Sequence, residues 1–393
     1  MLSNRQLFLL NTAQTSTTPR LIEVERSEGL YLYGPKGEKY MDLVSGFAVS
    51  NIGHRHPKVI EAIKAQIEKY LHVTVYGEFI QAPQVLLATK LVSLLPKDLD
   101  NVYFVNSGAE ATEGAMKIAK KFTGRTAFIT AKKAYHGSTQ GALSLMGDEK
   151  FKTPFAPLLP NIHYIDYNNA HQLNTIDQNT AAIILESVQG EAGIRVPDIS
   201  YMQAVRKRCD ETGTLLILDE IQTGLGRTGK LFAFEHYGIV PDILLTAKAL
   251  GGGMPIGAFI ASQKIMAVIK ENPILGHITT FGGHPVSCAA ALASLNVILT
   301  EGLMDTVEEK HQLFLQHLKH PKIKEVRGIG LMMAIELGSF ELVERASRYC
   351  AANGAMVDWF LHHETALRLA PPLTISHEEI IEACEIIKAG IDN

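Results

Sequence analysis

The chain reads Leu244-Leu245-Thr246-Ala247-Lys248-Ala249-Leu250-Gly251-Gly252-Gly253, an apolar run that ends in one lysine and three glycines. Earlier, a second apolar run, Leu215-Leu216-Ile217-Leu218, ends in Asp219-Glu220. Neither run alternates with polar residues, so each predicts a strand buried on both faces. A charged side chain at the end of such a strand is costly unless it has a partner or a function. Lys248 and Asp219 are therefore the first candidates for functional residues.

Short apolar runs in the middle of the chain predict further buried strands, and helical patterns such as Ala109–Phe122 and Ser200–Thr212 separate several of them. This alternation predicts a mostly parallel α/β sheet, whose ligands bind at the carboxyl ends of the strands. The predicted strands are Val102–Val105, Ala127–Thr130, His163–Ile165, Ala182–Leu185, Leu215–Leu218, Ile243–Leu245 and Ala258–Ala261.

The last third of the chain has a different organisation. Helical patterns at Cys288–Glu301 and Met304–Leu318 lead into a second α/β unit, which contains Met332–Leu337, a helix near Glu341–Asn353, and Leu367–Pro372. We therefore predict a large domain over residues 51–290 and a smaller α/β domain over residues 291–393, joined by the N-terminal segment 1–50.

Composition excludes several classes of protein. The chain has 393 residues, 46% of them hydrophobic and 20% charged, which supports a large core. The net charge of −4, without long runs of one sign, argues against a nucleic-acid surface. No segment approaches the roughly 20 apolar residues that span a membrane, and the apolar start is too short for a signal peptide. Four scattered cysteines predict reduced thiols in a cytoplasmic protein: Cys209, Cys288, Cys350 and Cys384.

One chemistry needs both a lysine and an aspartate at such strand ends. The lysine forms a Schiff base with pyridoxal phosphate (PLP), and the aspartate keeps the pyridine nitrogen protonated. The alternative is a helix-capping acid and an unrelated surface lysine. An anion site is predicted where Asn106-Ser107-Gly108-Ala109 passes from a strand into a helix, because free N–H groups and the helix dipole attract a phosphate. An ordinary serine N-cap is the alternative there.

Two further features fit a cofactor and a carboxylate. Tyr135 precedes His136-Gly137, and its ring could lie flat against a cofactor. Arg368 lies in an apolar strand, where a guanidinium needs an anion and matches the two oxygens of a carboxylate. Either a substrate or a structural ion pair would supply that anion, and Glu186 and Glu191 are the candidate protein partners.

Other motifs do not support a competing function. Gly224-Leu225-Gly226-Arg227-Thr228-Gly229-Lys230 has the spacing of a P-loop, but Leu231 replaces the magnesium-binding Ser or Thr and no strand leads into it. Gly328-Ile329-Gly330 is too short for a dinucleotide-binding loop. The histidines fit no metal motif, so no metal site is predicted.

Together these residues resemble the class III (ω-amino-acid) aminotransferases, which are PLP enzymes of fold type I, and most closely their acetylornithine/ornithine group. The resemblance covers nearly the whole chain. It is densest over Gly46–Pro57, Asn106–Lys120, Glu186–Gly193, Leu218–Gly229, Asp242–Gly257, His277–Pro285, Val326–Leu337 and Leu367–Ile375.

The resemblance implies a role for each matching cofactor residue. Lys248 would be the Schiff-base lysine and proton shuttle, and Asp219 would pair with the pyridine nitrogen. Tyr135 would stack on the ring beside His136, and Gln222 would contact the ring oxygen. The phosphate would be held by Ser107, Gly108 and Ala109, and by Thr280 from the neighbouring subunit of a homodimer with shared active sites.

The resemblance also implies a two-state carboxylate site. Arg368 would bind the α-carboxylate of 2-oxoglutarate or glutamate, and Glu191 would mask Arg368 while an ω-amino donor is bound. Three positions depart from the ornithine and acetylornithine patterns: Ser138 where an arginine is usual, Phe47 where ornithine enzymes have a tyrosine, and His284 in place of an asparagine. Ser138 and Phe47 would face the donor, and Lys132 or Lys133 would be the cations available to compensate.

Several alternatives remain open from sequence. The donor would be of acetylornithine/ornithine type, or another amine such as 4-aminobutyrate or a diamine. A PLP aminomutase or racemase would keep Lys248 and Asp219 without needing an oxo-acid acceptor. A dehydrogenase is disfavoured by the missing G-x-G-x-x-G, and a non-catalytic scaffold by the presence of Lys248, Asp219 and Arg368.

Overall fold

A computed structural model describes residues 2–393. Its strands are β1 (Arg26–Glu28), β2 (Tyr31–Tyr33), β3 (Lys39–Asp42), β4 (Asn101–Val105), β5 (Ala127–Ala131), β6 (Ile162–Ile165), β7 (Thr180–Glu186), β8 (Leu215–Asp219), β9 (Ile243–Thr246), β10 (Gly257–Ala261), β11 (Glu325–Ile329), β12 (Met332–Glu336), β13 (Ala355–Met356), β14 (Asp358–Phe360) and β15 (His363–Leu369).

Helices separate most of these strands. They are α1 (Asn4–Asn11), α2 (Ser45–Ala48), α3 (Pro57–Ile67), α4 (Ala82–Val92), α5 (Gly108–Thr123), α6 (Gln140–Ser144), α7 (Glu149–Lys152), α8 (Ile199–Thr212), α9 (Gln263–Met266), α10 (Pro285–Thr300), α11 (Val307–His317), α12 (Phe340–Ala352) and α13 (His377–Asp392).

The central sheet has seven strands in the order β4-β10-β9-β8-β7-β5-β6, and β10 alone runs antiparallel to its neighbours. The predicted mostly parallel α/β sheet is therefore confirmed, and each predicted strand is found at its predicted place. Every residue of β7, β8 and β9 is buried, as expected for strands covered by helices on both faces. Because β4, β8 and β9 run in the same direction, their carboxyl ends lie at one edge of the sheet.

Two four-stranded sheets, β1-β2-β3-β13 and β11-β12-β15-β14, lie outside the central sheet. In the first, C-terminal β13 pairs in parallel with N-terminal β3, and Leu30 and Leu43 share a core with Phe314. The two termini thus contribute to one unit. Helix α10 packs instead on α3 and α4 of the large unit. The predicted division into domains stays a prediction, and we propose its second boundary at the end of α10 rather than at residue 290.

No single helix within residues 2–393 is long and apolar enough to cross a membrane. One bent pair, α10 with the segment Met304–His317, meets the length and composition criteria only when its two helices are taken together. Ten residues of α10 are buried within the protein.

Truncating Phe314 tests the core of the smaller unit. Its ring is fully buried, so Phe314→Ala should lower the free energy of unfolding by about 3–5 kcal/mol. The matched control is Phe155→Ala, because Phe155 is 59% exposed and its loss should change stability by less than about 0.5 kcal/mol. Urea unfolding followed by circular dichroism measures both, and equal effects of the two substitutions would contradict the packing described.

Candidate active site

A cavity of about 580 Å³ opens at the carboxyl edge of the central sheet. Most of the residues singled out from the sequence line it: Ser107, Gly108, Ala109, Tyr135, His136, Ser138, Glu191, Asp219, Gln222 and Lys248. Phe47, Thr280 and Arg368 do not line it in the single chain. The strand order thus brings to one cavity ten candidate residues that are separated by up to 141 positions in the sequence.

Lys248 follows β9 in a left-handed backbone conformation, with φ of 47°. This region is costly for a residue with a side chain, and such strain concentrates at functional sites. Burial lowers the pKa of Lys248, and Arg368 adds to this, although Glu191 and Asp219 oppose it. A lysine with a lowered pKa is more often neutral and is therefore a better nucleophile and base.

Asp219 ends β8 with both carboxylate oxygens held in place. Oδ2 lies 2.7 Å from Nδ1 of His136, and Oδ1 accepts a hydrogen bond from the Ile221 N–H at 3.0 Å. Burial disfavours a charged His136, but the hydrogen bond and charge of Asp219 outweigh it and raise the pKa of His136. The buried imidazole therefore holds the Asp219 carboxylate in place at the wall of the cavity.

Glu186 lies beside Asp219 in the sheet register and is also buried. It accepts hydrogen bonds from the N–H groups of Tyr135, at 3.2 Å, and Gly190, at 2.7 Å. Burial, with the nearby charge of Asp219, raises the pKa of Glu186 to about 7, although His136 opposes the shift. Glu186 is one of the two acids considered as partners of Arg368. Arg368 pairs with Glu191, so Glu186 is the wrong one, and its carboxyl fixes the Tyr135 loop instead.

The amino end of α5 meets the cavity at Ser107. The Ser107 hydroxyl accepts a hydrogen bond from the Glu110 N–H at 3.2 Å, so the residue is a helix N-cap, as the alternative interpretation held. The first N–H groups of this 16-residue helix have no partner within it, which suits an anion as well. A Cβ on Gly108 would lie 2.7 Å from the end of the Ile221 side chain, so a larger residue here would displace Ile221.

These residues fit PLP on structural grounds. The cavity combines a helix amino end for a phosphate, an anchored carboxylate for a ring nitrogen, and a partly buried lysine. Within residues 2–393, the buried Oε1 of Gln222 accepts no hydrogen bond. It points to a polar ligand, because a buried acceptor without a partner is costly.

Arg368, in β15, forms an ion pair with Glu191, with 2.5 Å between Nη2 and Oε2. The same carboxylate oxygen accepts a hydrogen bond from the Leu361 N–H at 3.0 Å. The guanidinium lies 5.0 Å from the ring centre of Phe47 and 4.5 Å from that of Phe360. Its Nε and Nη1 are buried and have no partner among the described residues. Arg368 therefore keeps donors for a further anion.

Three other candidates lie at the margin of the site. Thr280 is exposed and away from this chain's cavity. Ser138 Oγ lies 3.3 Å from the Tyr135 hydroxyl. Lys132 is paired with Asp166 at 2.8 Å and, like Lys133, lies outside the cavity. Neither lysine replaces the cation missing at position 138.

Several residues that contact the cavity were missed from sequence. Val49, Val188, Ile221 and Met254 line it, and nothing distinguishes them in the sequence from ordinary core residues. Within residues 2–393, no group of three or more His, Cys, Asp or Glu side chains is placed to hold a metal ion.

This fold and site are those of a PLP-dependent aminotransferase: the chain belongs to the class III aminotransferases, whose family description, "Aminotransferase class-III", matches residues 12–391. An acetylornithine aminotransferase of Methanopyrus kandleri is 42% identical over 360 residues, which cover 91% of this chain and 90% of the relative. A putrescine aminotransferase of Pectobacterium atrosepticum is 42% identical over 379 residues, with 91% and 80% covered. The crystal structure of an ornithine aminotransferase from Toxoplasma gondii superimposes with a TM-score of 0.91 at 31% identity, covering 99% of this chain and 95% of that one.

Replacing Glu186 tests the buried carboxyl cluster through pH. The pKa of Glu186 rises from 4.5 to about 7 on folding, so the folded state binds more protons between these values and loses stability as pH rises through them. The loss should be roughly 2–4 kcal/mol between pH 4.5 and 7.5. Glu186→Gln, which mimics the protonated form, should flatten this dependence in urea unfolding. An unchanged pH profile would contradict the assignment.

Proposed function

We propose that this enzyme moves a terminal amino group from a donor amine to 2-oxoglutarate. The observation that carries the proposal is the pairing of Arg368 with Glu191 next to Lys248 and Asp219. The cavity then offers a nucleophilic lysine and a carboxylate for the cofactor ring, and its Glu191 connects it to an arginine that can be masked or exposed.

The cofactor would be held by residues at the sheet edge. The amino end of α5, at Ser107, Gly108 and Ala109, would bind the phosphate through N–H groups. Asp219 would hold the ring nitrogen, and Gln222, with its amide turned so that Nε2 takes the place of the unpartnered Oε1, would donate to the ring oxygen. Tyr135 would lie against the ring, oriented by Glu186. When bound, PLP supplies an electron sink for the electron pair released at the substrate carbon.

Lys248 would hold the cofactor covalently and move the proton. After the donor amine displaces it, its neutral Nζ would accept the proton from the substrate carbon and return it on the cofactor side. The lowered pKa of Lys248 supports this role, because a protonated amine accepts no proton. The same group would act in reverse during the second half-reaction.

Glu191 and Arg368 would form the gate between the two half-reactions. When the two are paired, as here, the negative charge of Glu191 offsets the positive charge of Arg368 and disfavours a carboxylate, which suits a donor that enters with its terminal amine. With Glu191 turned away, the guanidinium would bind a carboxylate of 2-oxoglutarate in a two-pronged geometry. Phe47 and Phe360 would keep the guanidinium plane fixed between their rings.

The donor we propose is of acetylornithine/ornithine type, as in the relatives that carry those names. A diamine is the second candidate, because Ser138 offers a hydroxyl where a cation would bind the donor's carboxylate, and Lys132 is paired elsewhere. Apart from Lys248 and His136, the lining is neutral or acidic, which suits a donor without a distal carboxylate. Its acids are Glu186, Glu191 and Asp219.

We also propose a homodimer with shared active sites. A strip of exposed apolar side chains supports it, and the strip flanks Thr280, whose hydroxyl would reach the partner's phosphate. Ile80 is 95% exposed, an unusual state for a large apolar side chain in a monomer. The strip comprises Leu71, Phe79, Ile80, Val85, Leu86, Ile274, Leu275, Ile278 and Phe281.

Four free, buried cysteines fit the expectation of a cytoplasmic location.

The absorption spectrum of the PLP-loaded protein tests the proposed reaction. Ornithine, N-acetylornithine, 4-aminobutyrate, putrescine and glutamate are added singly. A visible band that one terminal amine bleaches and 2-oxoglutarate restores would support the proposal and name the donor. Lys248→Ala is the control, because it should bind PLP without the covalent link and show no turnover. Bleaching that 2-oxoglutarate does not reverse would contradict an aminotransferase with this acceptor.

The gate predicts an asymmetric effect of Glu191→Gln. The substitution keeps the shape but removes the charge that masks Arg368, so a free guanidinium should disfavour a terminal-amine donor. We expect kcat/KM for that donor to fall about tenfold or more, with less than about a twofold change for the glutamate half-reaction. Single-turnover spectra of each half-reaction measure this. Equal losses in both would exclude a gating role for Glu191.

A further inference from the structure

The loop with P-loop-like spacing, residues 224–230, contains a buried arginine with no role in the site described above. Arg227 is fully buried, and burial lowers its pKa to about 9. Among residues 2–393 its hydrogen bonds go to neutral oxygens rather than to a carboxylate, and Asp42 acts on it only through its charge, against the effect of burial. A buried cation without an anion is costly, so the fold must gain something from keeping it.

The guanidinium of Arg227 joins three separate parts of the chain. Nη1 donates to the carbonyl of Leu331 at 2.9 Å and to that of Pro371, and Nη2 donates to Oδ1 of Asn51 at 2.5 Å. Asn51 in turn donates from Nδ2 to the Leu225 carbonyl at 2.9 Å, which closes a ring of contacts. Arg227 thus connects the loop after Asp219 to the N-terminal segment and to the small unit.

Two of the segments that Arg227 contacts, around Asn51 and around Pro371, each lie close in sequence to a residue of the proposed carboxylate site. Pro371 lies three residues after Arg368, and Asn51 lies four residues after Phe47, whose ring contacts the Arg368 guanidinium. Backbone hydrogen bonds join the same segments, from Ala370 N–H to the Leu43 carbonyl at 2.8 Å and from Leu373 N–H to the Asn51 carbonyl at 2.7 Å.

The packing around Arg227 leaves little room for adjustment. A Cβ on Gly226 would lie 2.9 Å from the Leu373 side chain, and one on Gly330 would lie 2.6 Å from the Arg227 carbonyl oxygen. Both glycines also have positive φ, of 88° and 55°. Gly226 of the motif and Gly330 of the small unit therefore allow close contact between the two units.

We propose that Arg227 is a positioning residue for the oxo-acid acceptor: it fixes the Arg368 strand and the Phe47 segment relative to Asp219. This rests on the proposed function, in which Arg368 binds the acceptor carboxylate. The planar fork of an arginine reaches three oxygens at fixed angles, which a lysine cannot do. A small displacement of Arg368 would weaken acceptor binding and leave the amine half-reaction nearly unchanged.

The test compares the two half-reactions in PLP-loaded variants. Arg227→Gln should raise KM for 2-oxoglutarate at least about tenfold, with partial recovery in Arg227→Lys and less than about a twofold change in the amine half-reaction. Arg206→Gln is the matched control, because Arg206 is a largely buried arginine that pairs with Asp242 in the large unit. It should lower the melting temperature without changing this KM.

The remaining outcomes separate this inference from the proposed function. If Arg368→Lys raises KM for 2-oxoglutarate but Arg227→Gln does not, or if Arg227→Gln slows both half-reactions equally, the positioning role is wrong. If Arg368→Lys leaves this KM unchanged, the proposed carboxylate site itself fails. If Arg227→Gln does not fold, Asn51→Ala, which removes the contacts to Arg227 and to the Leu225 carbonyl but no charge, should raise KM about threefold or more. An unchanged KM in that variant would also overturn the inference.

Discussion

The proposed active site depends on a carboxylate held at the edge of a sheet whose central strands are buried. Asp219 is the last residue of β8, and both its oxygens are fixed, by His136 and by a backbone N–H. Because β8 has strands on both sides and helices on both faces, the carboxylate cannot turn away to water. A PLP ring withdraws electrons when its nitrogen is kept protonated, which needs a fixed carboxylate beside that nitrogen. The parallel sheet would hold Asp219 in that position.

The acids around the site make different contacts because successive side chains along the chain point in different directions. Asp219 faces the cavity, while its neighbour Glu220 accepts four hydrogen bonds, from Ser187, Thr223, Ala233 and Phe234, and stabilises the fold. Glu186 fixes the Tyr135 loop, and Glu191, five residues later, pairs with Arg368. In the proposed mechanism, acids that lie close together thus serve as cofactor ligand, structural support and gate.

Sequence patterns predicted the sheet, and they picked out most of the polar residues that the structure brings to one cavity, because buried parallel strands and strand-end residues leave local signals. They did not distinguish Glu186 from Glu191, since the partner of Arg368 depends on how a turn directs each side chain. They could not place Arg227 either, because Asn51, Leu331 and Pro371 are 104 to 176 positions away from it. The left-handed turn of α2, in which Ser45, Phe47 and Ala48 have positive φ, contradicts local preference and is imposed by tertiary contacts.

The central claim is that Lys248 binds PLP covalently. The most direct measurement is borohydride reduction of the PLP-loaded enzyme, followed by proteolysis and mass spectrometry of the labelled peptide. The account predicts a pyridoxyl group on Lys248 and on no other lysine. A label on another lysine, or a loaded enzyme from which reduction traps no label, would contradict it.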